Sequence, residues 1–304
     1  MIGRYAPSPS GRLHVGNLRT AMLAWLSAHH HGGELRLRID DLDPNVCKPE
    51  HEETQLADLA ALGITFSGLT LRQSERADRY ADAIATLRER DLLYECFCSR
   101  REVREAAQAP HVHLPEGAYP GTCSDLSDAE RTERSQDRPA ALRVRSGHPT
   151  IEFTDRHYGP QSEFVDDFVI QRNDGVASYN LATVLDDADQ SVTEVVRGAD
   201  LLPGTARHIW LRDALDLDQV EHAHVPLMID DDGERLAKRG GGVNLAELAQ
   251  LGLSPDVIGR ELAVGIGLWD AGDPAIPSMN DLLVRFDPAT LPTTDTVWAL
   301  PANT

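Results

Sequence analysis

The chain has 304 residues and a formal net charge of -20, with 41% hydrophobic and 26% charged residues. That composition belongs to a globular chain, not a disordered or fibrous one, and the length allows more than one module. The acidity argues against wrapping nucleic acid with the whole surface, since phosphate contacts need clustered Lys and Arg, although a local basic groove stays possible. No apolar run approaches the roughly 20 residues of a membrane helix, and no basic-then-apolar signal precedes Ile2-Gly3-Arg4-Tyr5. A cytoplasmic protein is expected. Its cations are almost all arginine, with Lys48 and Lys238 the lysines; arginine suits carboxylate and phosphate forks, and genomic composition gives the same bias.

In chain order, a short strand ends near Ala6 and a Pro/Ser/Gly loop follows. Leu18, Met22, Trp25 and Leu26 recur at helical spacing, predicting a helix from about Leu13 to His30 that Gly32-Gly33 stops. Glu34 to Asp40 alternates polar and apolar residues, the period of a strand. Strand, helix and strand in this length make a βαβ unit and predict a parallel sheet. Pro49 fits the first turn of a helix reaching Leu62, with Gly63 as its stop. Another helix fits Asp78 to about Asp91, using Tyr80, Ile84 and Leu87. Residues 96–165 crowd Cys, His, Pro and Gly between short apolar runs, the composition of an inserted module. Alternation resumes at Asp166–Arg172 before an Asn173-Asp174-Gly175 turn. From about Asn244 the chain reads as helical and then Pro-rich.

The loop between the first strand and helix is the first chemical site. Backbone N–H groups at a helix N-terminus bind anions; His14 adds a donor, and Gly16 permits close approach. Neither G-x-G-x-x-G nor a Walker A pattern is present, which argues against dinucleotide and P-loop readings. Separately, Cys96, Cys98 and Cys123 gather in one region and suggest a metal, whereas Cys47 stands apart and reads as structural. His111 and His113 are possible fourth ligands.

Arg4-Tyr5-Ala6-Pro7-Ser8-Pro9-Ser10-Gly11-Arg12-Leu13-His14-Val15-Gly16-Asn17 resembles the "HIGH" region of class I glutamyl-type tRNA synthetases. Tyr179-Asn180-Leu181-Ala182 with Asp186-Asp187, and Val192 through Leu202, continue the likeness, which runs from about residue 3 to 245. Within that group the chain is similar to the short glutamyl-Q tRNA(Asp) synthetase family. The resemblance implies an α/β fold: a Rossmann-like parallel sheet with an inserted zinc-containing module and a short helical C-terminal region. The expected division is 1–95 and 166–243 for the two halves of the catalytic domain, 96–165 for the insert, and 244–304 for the C-terminal region.

The family implies that His14, Gly16 and Asn17, together with Lys238, hold the phosphates of ATP in its complex with Mg2+. This lysine lies in Arg235-Leu236-Ala237-Lys238-Arg239, at the position of the "KMSKS" loop, where Arg235 and Ala237 depart from the motif. Glutamate carries two carboxylates and an ammonium. Arg4 and Arg197 match the family's cationic forks, Tyr179 matches its pocket tyrosine, and Ser8 can donate a hydrogen bond. Asp40 stands where the family usually has glutamate, which keeps the charge and loses about 1.5 Å of reach. For the metal, the family's Tyr-x-x-x-Cys favours Tyr119 with Cys96, Cys98 and Cys123 around a structural zinc.

About 60 residues after the Lys238 loop are too few for a large anticodon-binding portion, so the expected acceptor is queuosine in the anticodon of tRNA(Asp). Activation is expected to need no tRNA, and the chain to work as a monomer without a membrane. The alternatives are a truncated glutamyl-tRNA synthetase charging a tRNA 3′ end, and an inactive zinc-containing binding paralogue; Asp40, Arg235 and Ala237 keep the last one open.

Overall fold

A computed structural model describes residues 1–108, 114–115, 118–230, 232–233, 236 and 243–298. Lys238, with Arg235 and Ala237, lies outside the described residues, as do His111 and His113.

The chain opens with β1 (Ile2–Tyr5), α1 (Val15–His30) and β2 (Glu34–Ile39); the two strands are parallel, from Ile2 opposite Glu34 to Tyr5 opposite Leu37. Helix α1 starts at Val15 because His14 caps it: His14 Nδ1 accepts from the Gly16 amide, and Asn17 Oδ1 accepts from the His14 amide. Its return to β2 requires glycine at position 33, where a Cβ would stand 1.8 Å from the Met1 carbonyl oxygen. Helix α2 (Pro49–Ala61) has its proline in the first turn, and Gly63 follows at φ +75°. Strand β3 (Leu71–Arg72) joins the far edge of β2, and α3 (Ala77–Glu89) buries Tyr80, Ile84 and Leu87.

Next come β4 (Leu93–Cys96), α4 (Arg100–Gln108), α5 (Asp128–Asp137), β5 (Ala141–Val144), β6 (Thr150–Asp155), β7 (Gly159–Phe164) and β8 (Val169–Gln171). Strands β4, β5 and β8 form an antiparallel sheet. The eighth strand is shorter than the Asp166–Arg172 pattern suggests because its two leading carboxylates turn to other partners. Asp166 accepts from the Tyr119 amide and from Arg207, and Asp167 accepts from the Ser146 amide and the Tyr94 hydroxyl.

The remaining elements are α6 (Tyr179–Asp189), β9 (Glu194–Gly198), α7 (Thr205–Ala214), β10 (Glu221–Val225), β11 (Met228–Ile229), α8 (Leu245–Gln250), α9 (Pro255–Val264), α10 (Met279–Arg285) and β12 (Thr296–Val297). A second sheet runs β7-β6-β10-β9, with β10 parallel to both β9 and β6. The hairpin of β6 and β7, within the stretch expected as an insert, thus extends this sheet. The Thr193 amide donates to the Ile2 carbonyl at 2.9 Å and seats β9 beside β1. The resulting succession, β3-β2-β1 and then β9-β10-β6, is that of a doubly wound α/β sheet, whose ligands bind beyond the carboxyl ends of the strands where the order reverses.

One core surrounds α1 and includes Leu18, Leu26, Ile258, Leu262 and Phe286, so the C-terminal helices share it. A second joins α3, α6 and α7 through Ile84, Leu87, Leu181, Leu185 and Leu211. Each fully buried leucine contributes about 1.5–3 kcal/mol relative to an exposed one. Among the described residues no helix is long and apolar enough to cross a membrane.

Candidate active site

The carboxyl ends of β1 and β9 open onto a cavity of about 490 Å³, within the range of small-molecule sites. Its walls bring together Arg4, Ser8, His14, Gly16, Asn17, Asp40, Tyr179 and Arg197, and add Arg19, Arg38, Gln55, Asp200 and Leu236. Position 238 is outside the described residues, but Leu236 precedes it by two positions.

The loop is held from below. Gln55 Nε2 donates to the carbonyls of Ser8 (3.0 Å) and Gly11 (2.6 Å), and the Lys48 amide donates to the Pro9 carbonyl at 2.9 Å. Gly16 has a specific reason: a Cβ there would stand 3.0 Å from both Cε1 and Nδ1 of His14. The Tyr5 hydroxyl donates to the Asn17 carbonyl, and burial raises its pKa.

Beneath one end of the cavity lies a buried charge network. Arg4 donates from Nε to Asp187 (3.3 Å) and from Nη1 to the Val196 carbonyl (3.0 Å); its Nη2 has no partner among the described residues. Arg38 bridges Asp187 and Asp40, the latter through Nε at 2.7 Å. Burial alone would raise the Asp187 carboxyl, but Arg38 and Arg4 more than offset it and hold it below the usual range. At Asp40 burial prevails and the pKa is raised, with Arg38 compensating only in part. An ammonium ligand beside Asp40 would restore that balance.

Arg197 is built differently. It is 5% exposed. Nε donates to His224 Nε2 (2.9 Å), and Nη2 donates to Thr205 Oγ1 (2.9 Å) and the Leu201 carbonyl (3.0 Å). Nη1 reaches the Tyr179 hydroxyl at 3.3 Å and His208 Nδ1 at 3.5 Å, long contacts that leave this edge the easiest to re-engage. Among the described residues no carboxylate touches the Arg197 guanidinium.

A separate cluster holds Cys96, Cys98 and Cys123, whose sulfurs lie within 4.8 Å of one another. The Tyr119 hydroxyl stands 3.3 Å from Cys96 Sγ and 3.4 Å from Cys98 Sγ. Thiolates around a tetrahedral zinc lie about 3.8 Å apart, so the cluster fits such an ion. Arg143 supports it, donating to Cys96 Sγ at 3.3 Å and lying 3.8 Å from the Tyr119 ring centroid.

Several groups in these networks belong to no sequence motif: Arg38, His224, His208, Thr205 and Gln55. Of these, Arg38 and His224 leave a trace in sequence, as polar residues at period two with Arg36 in β2 and with His222 in β10.

A family model described as tRNA synthetases class I (E and Q), catalytic domain, matches residues 1–268. The glutamyl-Q tRNA(Asp) synthetase of Nocardia farcinica is 51% identical over 291 residues, spanning 95% of this chain and 90% of that one. The protein of that name in Symbiobacterium thermophilum is 43% identical over 305 residues, spanning 96% and 94%. The crystal structure of a glutamate-tRNA synthetase from Elizabethkingia anophelis superposes with a TM-score of 0.81 at 26% identity, covering 98% of this chain and 68% of that one. The chain belongs to the class I tRNA synthetases for glutamate and glutamine and, within them, to the glutamyl-Q tRNA(Asp) synthetase family.

Proposed function

We propose that this protein activates glutamate with ATP, without tRNA, and then transfers the glutamate to queuosine in the anticodon of tRNA(Asp). The observation that carries this reading is Arg197, a buried guanidinium facing the cavity with no carboxylate in contact among the described residues. Burying a charge without a counter-charge is costly, and a ligand carboxylate supplies one.

In this reading Arg197 and Arg4 take the two carboxylates of glutamate, Asp40 faces its ammonium, Ser8 donates a hydrogen bond, and Tyr179 closes the side. His14, the backbone at Gly16 and Asn17, and Lys238 hold the phosphates of ATP, which enters as its magnesium complex. An oxygen of the α-carboxylate attacks the α-phosphorus, and the bond to pyrophosphate breaks. The residues act by positioning and by stabilising the charge that develops, so no covalent enzyme nucleophile is required. A hydroxyl of the queuosine diol then attacks the acyl carbon, loses its proton and releases AMP, leaving an ester. Glutamate stays the preferred amino acid despite the shorter Asp40, because both guanidinium groups are kept.

Cys96, Cys98, Cys123 and Tyr119 would hold a structural zinc. Residues 96–165 are assigned the contact with the anticodon stem-loop, between the catalytic halves 1–95 and 166–243 and ahead of the C-terminal region 244–304. The protein is taken to act as a cytoplasmic monomer.

The test is glutamate-dependent pyrophosphate exchange without tRNA, followed by transfer to tRNA with and without queuosine. Exchange driven better by another amino acid, or by none, overturns the activation step. Transfer to tRNA lacking queuosine would instead indicate charging of a 3′ end.

A further inference from the structure

The counter-charge of Arg197 lies one imidazole away. His224 Nδ1 is 2.6 Å from Asp155 Oδ2, and both side chains are fully buried. A guanidinium nitrogen can only donate, so the Arg197 Nε–H at 2.9 Å obliges His224 Nε2 to accept. The proton of the neutral ring therefore sits on Nδ1 and points at Asp155. Asp155 is itself fixed by the amides of His157 and Tyr158, each at 2.9 Å, and by the amide of His224. Burial pushes its carboxyl up, but the hydrogen bond from the His224 ring and those from the Tyr158 and His157 amides more than offset it and hold it below the usual range. Thr205 joins the arrangement with its hydroxyl 3.4 Å from His224 Nε2.

Arg4 and Arg38 make the contrast, since both contact Asp187 directly. A carboxylate placed directly on Arg197 would offset part of the charge that a ligand meets, as Asp187 does at Arg4, which keeps only Nη2 for one. A carboxylate behind a neutral histidine orients the guanidinium and leaves its charge available. On the far side His208 is arranged alike: its Nε2 lies 3.1 Å from Asn180 Oδ1, which can only accept, so its Nδ1 lone pair faces Arg197.

We propose that His224 and Asp155 are positioning residues that fix the Arg197 fork for a ligand carboxylate without neutralising it. This rests on the reading of the cavity as a glutamate site and adds residues that never touch the ligand. Loss of a hydrogen bond to a charged group weakens binding by roughly tenfold to a hundredfold.

The experiment is calorimetric binding of L-glutamate to the full chain, with pyrophosphate-exchange kinetics alongside. His224→Leu should weaken glutamate binding by about tenfold or more, leaving the KM for ATP within about twofold. His224→Gln, which returns an acceptor near the Nε2 position, should recover a measurable part of that loss. Asp155→Asn should weaken glutamate binding while the melting curve stays cooperative. If the wild-type chain binds no glutamate, the cavity assignment itself fails. If it binds glutamate and His224→Leu binds equally well, the positioning role is overturned. Equal losses for ATP and glutamate, with no recovery in His224→Gln, also overturn it, because they mark general damage to the fold.

Discussion

The amide of Val15 donates to the carbonyl of Val243 at 2.9 Å, and His14 pairs with Asn244 as an antiparallel bridge. The first turn of α1 is thereby joined to the chain a few residues past position 238, while Leu236, two residues before that position, lines the cavity. In the proposed reaction Lys238, which falls between those two points in the sequence, acts on the charge that develops at the phosphates and not on the amino acid. Lys238→Ala should lower the exchange rate by about a hundredfold or more, with glutamate affinity changed by less than roughly threefold in calorimetry. An unchanged rate would remove Lys238 from the chemistry.

Gly16 is required by the ring of its neighbour. A methyl at that position would meet two His14 ring atoms at 3.0 Å and displace the Nδ1 that accepts from the Gly16 amide. Gly16→Ala should therefore raise the KM for ATP and lower exchange by about tenfold or more, because the displaced ring would spoil the anion site proposed at the helix start. Glutamate binding should be nearly unaffected. Equal loss for both substrates would argue against this account.

The cysteine cluster predicts one zinc per chain by elemental analysis. Cys98→Ser and Cys123→Ser should each lose the ion and lower the melting temperature, since metal affinity is folding free energy for the segment it closes. Tyr119→Phe should weaken zinc retention against a chelator and keep the buried ring. Purified wild-type protein without zinc would sink the metal assignment.

Acid should destabilise the fold through its buried histidines. His222 on β10 is 3% exposed, neither ring nitrogen has a partner among the described residues, and burial, with Arg197 and His224 nearby, lowers its pKa to about 3. An unfolded histidine titrates near 6.5, so the unfolded chain takes up the proton first as the pH falls. Stability is held above pH ~6.5 and lost progressively toward pH ~3. His208 and His224 are lowered in the same direction, mainly by burial. Denaturant midpoints between pH 8 and pH 4 should fall less steeply for His222→Phe than for the wild type; identical slopes would contradict this origin.

The first βαβ unit was legible because its apolar residues and its Gly stops follow local rules. The buried arginine on β2 was not. Alternation puts Arg36 and Arg38 on one polar face, as if both met water, yet Arg38 is 1% exposed because the carboxylates of α6 cover that end of the strand. The strand at Asp166 was read too long for a related reason, since Asp166 and Asp167 answer to Tyr119, Arg207, Ser146 and Tyr94 elsewhere in the chain. The residues gathered at the cavity were found through motifs. Asp155 and His224, 69 positions apart, belong to no short pattern and meet only in the folded sheet.

The seating of β9 beside β1 has a consequence for how the site comes into being. Arg4 meets Asp187 across 183 positions of chain, and the Ile2 amide meets Thr193 across 191. Closing so large a loop costs entropy that is recovered only when the far contacts form. The Arg4 fork therefore cannot form from the first half of the sheet alone, whereas Arg197 finds its partners within the second; under the proposed function, a nascent chain acquires glutamate affinity only after its second half has been synthesised and docked.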